Sequence, residues 1–289
     1  MTIGLGQQSL RKIPVDSEYR MNPAELAQAI ADDRASELLP IAVVATVGTT
    51  STTSLDPVPA IADICEREHL WLHVDAAYGG VAAMLPSHAH ILAGADRADS
   101  LVVNPHKWLF TPVDLSALYC RRMDALRGAF ALTPESILTG DEADAARRNL
   151  MNTGIQLGRR FRSLKLWMIL RSFGAKAIRA HLAEHIRLAQ LFASWVDESP
   201  DFERLAPVPL SVVCFRWNPM GGERLSESEL DSANLRLLDA VNQSGEVFLS
   251  HTRVREGTAL RLAVAHLQTS ERHVRRAWDL LADRAATLR

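Results

Sequence analysis

Lys107 and Asp75 are the residues of this sequence whose types and settings could do chemistry together. Lys107 lies in Asn104-Pro105-His106-Lys107-Trp108, directly after the apolar run Leu101-Val102-Val103. A lysine at such a junction can form an imine with a carbonyl compound once a partly desolvated site removes its proton. Asp75 lies upstream in His73-Val74-Asp75-Ala76-Ala77-Tyr78-Gly79-Gly80, at the end of another apolar run and ahead of small residues that open a turn. A fixed carboxylate there can keep a proton on a heterocyclic nitrogen. Open parallel sheets present ligands at the carboxyl ends of their strands, and both residues fall at such ends.

Taken singly, each residue has an ordinary explanation: an aspartate ending a strand is commonly a turn or cap residue, and a loop lysine is commonly a solvated charge. The two in chain order, a strand-sized interval apart, point to pyridoxal 5'-phosphate. That cofactor works as an electron sink only with a protonated ring nitrogen, and its aldehyde must be held as an exchangeable imine.

The elements that must position these residues are legible from patterning. Asn22 as N-cap, Pro23 at the first helical position and Glu25 in the first turn predict a helix over 23–33 that turns Leu26 and Ile30 inward. The short, β-branched run at 40–46 predicts a buried strand ending in the polar turn Gly48-Thr49-Thr50-Ser51. A helix over 57–69 and a strand over 70–75 follow, the alternation of a parallel sheet with right-handed crossovers. Strands at 101–103 and 115–120 flank Lys107, and a further strand is expected at 9–13. Residues 133–152 turn polar, as an exposed mobile loop or lid would. Two helices, 158–172 and 175–198, are expected around Phe173-Gly174. Beyond Pro200, strands at 211–217, 246–252 and 259–265 alternate with helices at 226–242 and 270–287. The expected organisation is residues 1–153 as part of a cofactor-binding unit, 154–199 as bridging helices and 200–289 as a small α+β unit.

Composition bounds the alternatives. The 289 residues are 47% hydrophobic and 23% charged, with a formal net charge of −2. This is an ordinary globular balance, with no electrostatic reason to expect nucleic acid or an anionic membrane as partner. The basic run Arg159-Arg160-Phe161-Arg162-Ser163-Leu164-Lys165 is read as part of a helix that supports the fold or a subunit contact. Cys65, Cys120 and Cys214 are widely spaced, form neither a disulfide framework nor a zinc spacing, and so favour a reducing compartment. With no leader-like segment and no long apolar stretch, a cytoplasmic location is expected. No glycine-rich dinucleotide fingerprint or Walker lysine is present.

Two rival signals carry less. His181-Leu182-Ala183-Glu184-His185 matches the H-x-x-E-H spacing of inverted zinc proteases, yet no third ligand is evident and a solvated helix face explains it better. His88 and His90 belong to a Pro86-Ser87 turn. Arg261 could meet a carboxylate near the cofactor, but a structural ion pair between units is the favoured reading. No metal is expected.

The motifs together resemble the group II pyridoxal-phosphate-dependent amino-acid decarboxylases, above all their aromatic-L-amino-acid branch. The resemblance rests on Val44-Ala45-Thr46-Val47-Gly48-Thr49-Thr50, His73-Val74-Asp75-Ala76-Ala77-Tyr78, Asn104-Pro105-His106-Lys107-Trp108, Leu157-Gly158-Arg159-Arg160-Phe161-Arg162-Ser163-Leu164-Lys165 and Val213-Cys214-Phe215-Arg216. It implies an α/β, PLP-dependent transferase-like fold of type I, with a partial, mostly parallel sheet and a small C-terminal α+β part. It implies Lys107 as the Schiff-base lysine, Asp75 as partner of the pyridine nitrogen and Thr46 beside the ring. Asn104 and His106 would sit at the phosphate end, with Ala77 among the cofactor contacts. The implied reaction is decarboxylation of an L-amino acid, aromatic by resemblance, to the amine and carbon dioxide, in a homodimer if the missing segment is supplied.

Two departures qualify this. Members of the family carry a long upstream segment with a ring-stacking histidine, phosphate-binding small residues and much of the substrate pocket, so this chain reads as a fragment. A non-catalytic fragment or one half of a split gene is therefore the rival reading. The second departure is Ser136, in Leu132-Thr133-Pro134-Glu135-Ser136-Ile137-Leu138, where the family's mobile loop usually has a proton-returning tyrosine. A serine hydroxyl is shorter and far less acidic than a phenol of pKa about 10. Two readings stand: Ser136 as a catalytic position that impairs decarboxylation or diverts it to an aldehyde, or a loop in which another residue serves.

Overall fold

Asn22 opens the first helix as expected: its side chain accepts the Ala24 N–H, and α1 runs Pro23–Ala35. The computed structural model describes residues 5–130, 150–219 and 225–288. The alternation then follows: β1 (Ala42–Thr46), α2 (Val58–Glu68), β2 (Trp71–Asp75), 3-10 turns between Gly79 and Arg97, β3 (Ser100–Val103), the single turn α3 (Pro105–Trp108), β4 (Ala117–Cys120) and α4 (Met123–Phe130). Helix α2 ends where His69 takes a left-handed conformation, which turns the chain directly into β2.

The first sheet has the order β1-β2-β3-β4. β1, β2 and β3 are parallel and β4 returns antiparallel. Its inner face, including Val43, Ala45, Leu72 and Val74, packs with Leu26 and Ile30 of α1 and Ile61 and Ile64 of α2 in one apolar cluster. Burial of that face is the main term holding the crossovers to the sheet. The opposite face is more open: Val44 is 49% and Leu118 52% exposed.

Helix α5 (Ser163–Glu198) leads to the second sheet, formed by β5 (Phe202–Arg204), β6 (Val212–Trp217), β7 (Ser250–Val254) and β8 (Gly257–Ala263) in the order β5-β6-β8-β7, every pairing antiparallel. Helices α6 (Glu227–Asn242) and α7 (Glu271–Leu288) pack on it with the second half of α5 around Phe192, Phe215 and Leu260. Ser226 and Glu229 close a capping box at the start of α6.

Four expectations need correction. Residues 9–13 form no strand; Leu10 is exposed, while the Arg11 guanidinium reaches back to the Ala29 carbonyl and Asp33 on α1, leaving the segment no ladder to join. The helix expected at 158–172 starts only at Ser163, because the residues before it are held by side chains: Arg160 and Arg162 both pair with Asp114. The basic run thus lies largely outside the helix and anchors the loop that follows α3, where Lys165 also donates to the Pro112 carbonyl at 2.8 Å. The expected break is real but sharper, since Gly174 alone leaves helical geometry at φ 71° and ψ 159° inside α5. The strand expected at 246–252 begins later, at Ser250. Ser136 and residues 133–149 of the expected lid lie outside the described residues; Leu150–Thr153 forms a 3-10 turn.

Candidate active site

The parallel register brings two of the expected residues side by side. Thr46 ends β1 directly opposite Asp75 at the end of β2, and Asp75 is in turn opposite Val102 on β3. Asp75 Oδ1 accepts the Ala77 N–H at 3.0 Å, an Asx turn that folds the chain back across the strand ends. The Ala77 carbonyl then accepts the Asn104 N–H at 3.0 Å. This single bond ties the Asp75 turn to the segment that carries Lys107.

α3 is one turn long, started by Pro105, with the Lys107 N–H donated to the Asn104 carbonyl at 2.9 Å. Lys107 is exposed, and among the described residues no side chain pairs with its ammonium. Asn104 Oδ1 accepts the Ser116 hydroxyl at 2.5 Å. His106 Nδ1 accepts the Leu115 N–H at 3.0 Å, which binds α3 to the approach of β4.

Glycine is required behind this layer. A Cβ on Gly79 would lie 2.6 Å from the Val47 carbonyl oxygen, so the turn after Asp75 can rest on the end of β1 only without a side chain there.

Sequence reading missed the supports. The Asp56 carboxylate accepts the Thr46 N–H and fixes the end of β1. Trp108, wholly buried beside Lys107, stacks on Tyr78 at 4.9 Å between ring centroids and 6° between planes. The Tyr78 hydroxyl lies 2.6 Å from Ser211 Oγ at the start of β6, and burial pushes its pKa up to about 12. Trp108 Nε1 donates to His185 Nδ1 at 3.1 Å. The H-x-x-E-H signal therefore has another explanation: both His185 nitrogens are engaged and Glu184 pairs with Arg187. His88 and His90 lie in a 3-10 turn, Pro86–Leu92.

Arg261 is structural, though among the described residues it makes no ion pair of the kind expected. Its guanidinium donates to the Thr50 carbonyl at 2.6 Å and the Ser51 carbonyl at 2.9 Å, which clasps the second sheet to the turn after β1. Among the described residues, no helix is long and apolar enough to cross a membrane.

The residues present fit pyridoxal phosphate by donor chemistry. A carboxylate, a threonine hydroxyl, a methyl-sized side chain and a lysine with no side-chain partner among the described residues line the carboxyl ends of parallel strands, on elements tied by backbone hydrogen bonds.

Known proteins resemble this chain over nearly its whole length. Residues 2–218 match the pyridoxal-dependent decarboxylase conserved domain. The chain is 38% identical over 282 residues to a tryptophan decarboxylase of Camptotheca acuminata, covering 97% of this chain and 56% of that protein. It is also 38% identical to the phenylacetaldehyde synthase of Arabidopsis thaliana, covering 99% of this chain and 58% of that protein. Among solved structures, Oryza sativa TDC with PLP and tryptamine superposes with a TM-score of 0.93 at 36% identity, over 99% of this chain and 59% of the other. The chain thus spans little more than half the length of the relatives it matches. With a family match over most of its length and the strand-end geometry expected of that family's fold, the chain belongs to the pyridoxal-dependent decarboxylases.

Proposed function

We propose that this chain supplies the cofactor-anchoring part of a pyridoxal-phosphate-dependent carboxy-lyase that converts an L-amino acid, an aromatic one, to the amine and carbon dioxide. The observation that carries the reading is the in-register pair Thr46 and Asp75, linked through Ala77 to the turn bearing Lys107. Asp75 would hold a proton on the pyridine nitrogen, and Lys107 would bind the aldehyde carbon. Ala77 and Thr46 would line the ring, with Asn104 and His106 at the phosphate end. When bound, pyridoxal phosphate supplies an electron sink for the pair left behind as carbon dioxide departs. The chain's own contribution is positional: the Asx turn aims Asp75, and the Asn104–Ala77 bond sets its distance from Lys107. The aromatic substrate rests on the relatives, one of them named a tryptophan decarboxylase. The cytoplasm and a homodimer completed by the relatives' remaining segment belong to the same reading.

A second reading is favoured by the similarity to a phenylacetaldehyde synthase together with Ser136. In it the amino acid leaves as an aldehyde rather than an amine, and Ser136→Tyr restores amine formation. The deciding experiment is an absorbance spectrum of the chain with added pyridoxal phosphate, before and after Lys107→Ala. A visible band lost in the variant supports the anchoring role, and assay of amine, aldehyde and carbon dioxide then separates the outcomes. A folded chain with no band makes it a non-catalytic fragment, to be tested again with the relatives' missing segment supplied as a second polypeptide.

A further inference from the structure

His185 lies on α5, far in sequence from Lys107, yet is almost completely buried against the turn that bears it. Trp108 Nε1 is a donor only, so the His185 Nδ1 that receives it at 3.1 Å must be unprotonated. The other ring nitrogen, Nε2, lies 3.1 Å from the His266 backbone carbonyl, which can only accept, so Nε2 carries the hydrogen. These partners admit one protonation state, the neutral Nε2–H tautomer. The imidazole is thus a fixed link between α3 and the loop after β8.

A parallel link runs beside it. Tyr78, stacked on Trp108, reaches Ser211, whose carbonyl accepts the Val264 N–H at 2.8 Å just past β8. Both turns of the candidate site, the one after Asp75 and the one bearing Lys107, are therefore pinned to the same end of the second sheet, where β6 starts and β8 stops. The groups facing His185 are its own neighbours His181, with ring centroids 6.4 Å apart, and Glu184, which is paired with Arg187. From other elements come Phe110 at 5.9 Å and both the carbonyl and the imidazole of His266.

We propose that His185 is a positioning residue for the cofactor lysine: by accepting the Trp108 indole N–H as a neutral imidazole, it holds the Asn104–Trp108 turn against the second sheet and so fixes where Lys107 stands. This rests on the proposed role of Lys107, and the test separates the two. Backbone hydrogen exchange across 104–108, measured without cofactor, reads the turn directly. His185→Leu removes the acceptor. Trp108→Phe removes the donor and part of the buried indole volume while keeping an aromatic ring to stack on Tyr78. His185→Asn places a carbonyl oxygen near the position of Nδ1.

Exchange in the turn is expected to accelerate about tenfold or more in His185→Leu and Trp108→Phe, the effect of losing about 1.4 kcal/mol of local stability, with α7 unchanged and His185→Asn close to the parent. The affinity for pyridoxal phosphate, read from the visible band, is expected to fall in the same two variants and recover in His185→Asn. Unchanged exchange in both variants, or a loss spread equally over the whole chain, overturns the proposal, as does unchanged affinity in a chain whose turn has loosened. A loosened turn in a chain whose parent gives no visible band overturns the cofactor reading and leaves the positioning of the turn standing.

Discussion

The Asp56 carboxylate accepts the backbone N–H of Thr46 through Oδ2 at 2.7 Å, while its Oδ1 accepts that of Met21, also at 2.7 Å. One side chain thereby joins the entry to α1 to the carboxyl end of β1. Burial pushes the Asp56 carboxyl above its ordinary range, and the two N–H groups oppose that shift. Asp56→Ala strips both donors of their acceptor. At about 1–3 kcal/mol for each unsatisfied buried group, the expected loss is about 2 kcal/mol or more, read from urea unfolding. A loss below about 0.5 kcal/mol would show that water replaces the carboxylate and that β1 ends where it does for other reasons.

Asp75→Asn tests charge apart from shape. The amide oxygen can still accept the Ala77 N–H, so the Asx turn and the fold are expected to persist with stability within about 0.5 kcal/mol of the parent. What disappears is the negative charge. Turnover by the completed enzyme is expected to fall about 100-fold or more, as for loss of a preorganised electrostatic partner. Equal turnover would remove Asp75 from the proposed chemistry.

Much of this site was legible in the sequence because its parts are local. The Asn22 cap, the β-branched run that became β1, and the small residues after Asp75 each announce a backbone geometry within a few positions. The contacts that hold the site together are not local. Trp108 meets His185 and Tyr78 meets Ser211 across long stretches of chain, and periodicity carries no trace of such pairs. The strand expected at 9–13 failed for a related reason: a short run with one inward residue fits an edge strand or a strap, and only the presence of a neighbouring ladder decides. The arginines before Ser163 looked helical by continuity with the apolar residues after them, but Asp114 holds Arg160 and Arg162 clear of the helix.

Gly79→Ala is expected to be more costly than a surface glycine change. The new methyl group would meet the Val47 backbone oxygen at 2.6 Å, and backbone cannot yield as a flexible side chain could. Forced displacement of this kind costs about 1–3 kcal/mol. Gly128→Ala, where nothing lies within 4 Å of the added carbon, serves as the control on a helix and is expected to be neutral or mildly stabilising. Paired thermal melts of the two variants decide it; equal melting points would mean that the turn after Asp75 has room to move.

The cysteines are expected to separate by reactivity. Burial pushes the Cys65 and Cys214 thiols up to about 11, and Cys214 Sγ donates its hydrogen to the Ser51 carbonyl at 3.0 Å. At pH of about 8, on the order of one molecule in a thousand then carries either thiolate, the form that attacks an alkylating reagent. Cys120, on the edge strand β4, is only partly buried. Mass spectrometry after brief alkylation of the folded chain should find Cys120 modified first. Early modification of Cys214 would show that the clasp between the second sheet and the turn after β1 opens readily.

Stability is expected to fall on mild acidification because two imidazoles are held neutral. Burial pushes the His185 pKa down, with the His266 carbonyl opposing it, and burial pushes His73 down against the pull of Asp75. In the unfolded chain both take up a proton near pH 6.5, whereas in the folded chain they resist until a lower pH. Between those values the unfolded state binds more protons, so stability is complete above about 6.5 and declines as the pH falls toward the depressed folded values. The surface carboxylates act in a different window. Arg162 holds Asp114, and Arg97 holds Glu66, below the usual range, so their contribution persists until the pH drops through the ordinary carboxylate values. Urea midpoints measured from pH of about 8 down to about 5 should therefore decline before Asp114 and Glu66 titrate. His185→Asn, which keeps an acceptor for Trp108 but cannot take a proton, should flatten part of that decline. A flat midpoint in the parent over the same range would mean that His185 can protonate without cost, and that the Trp108 bond does not hold it in the neutral form.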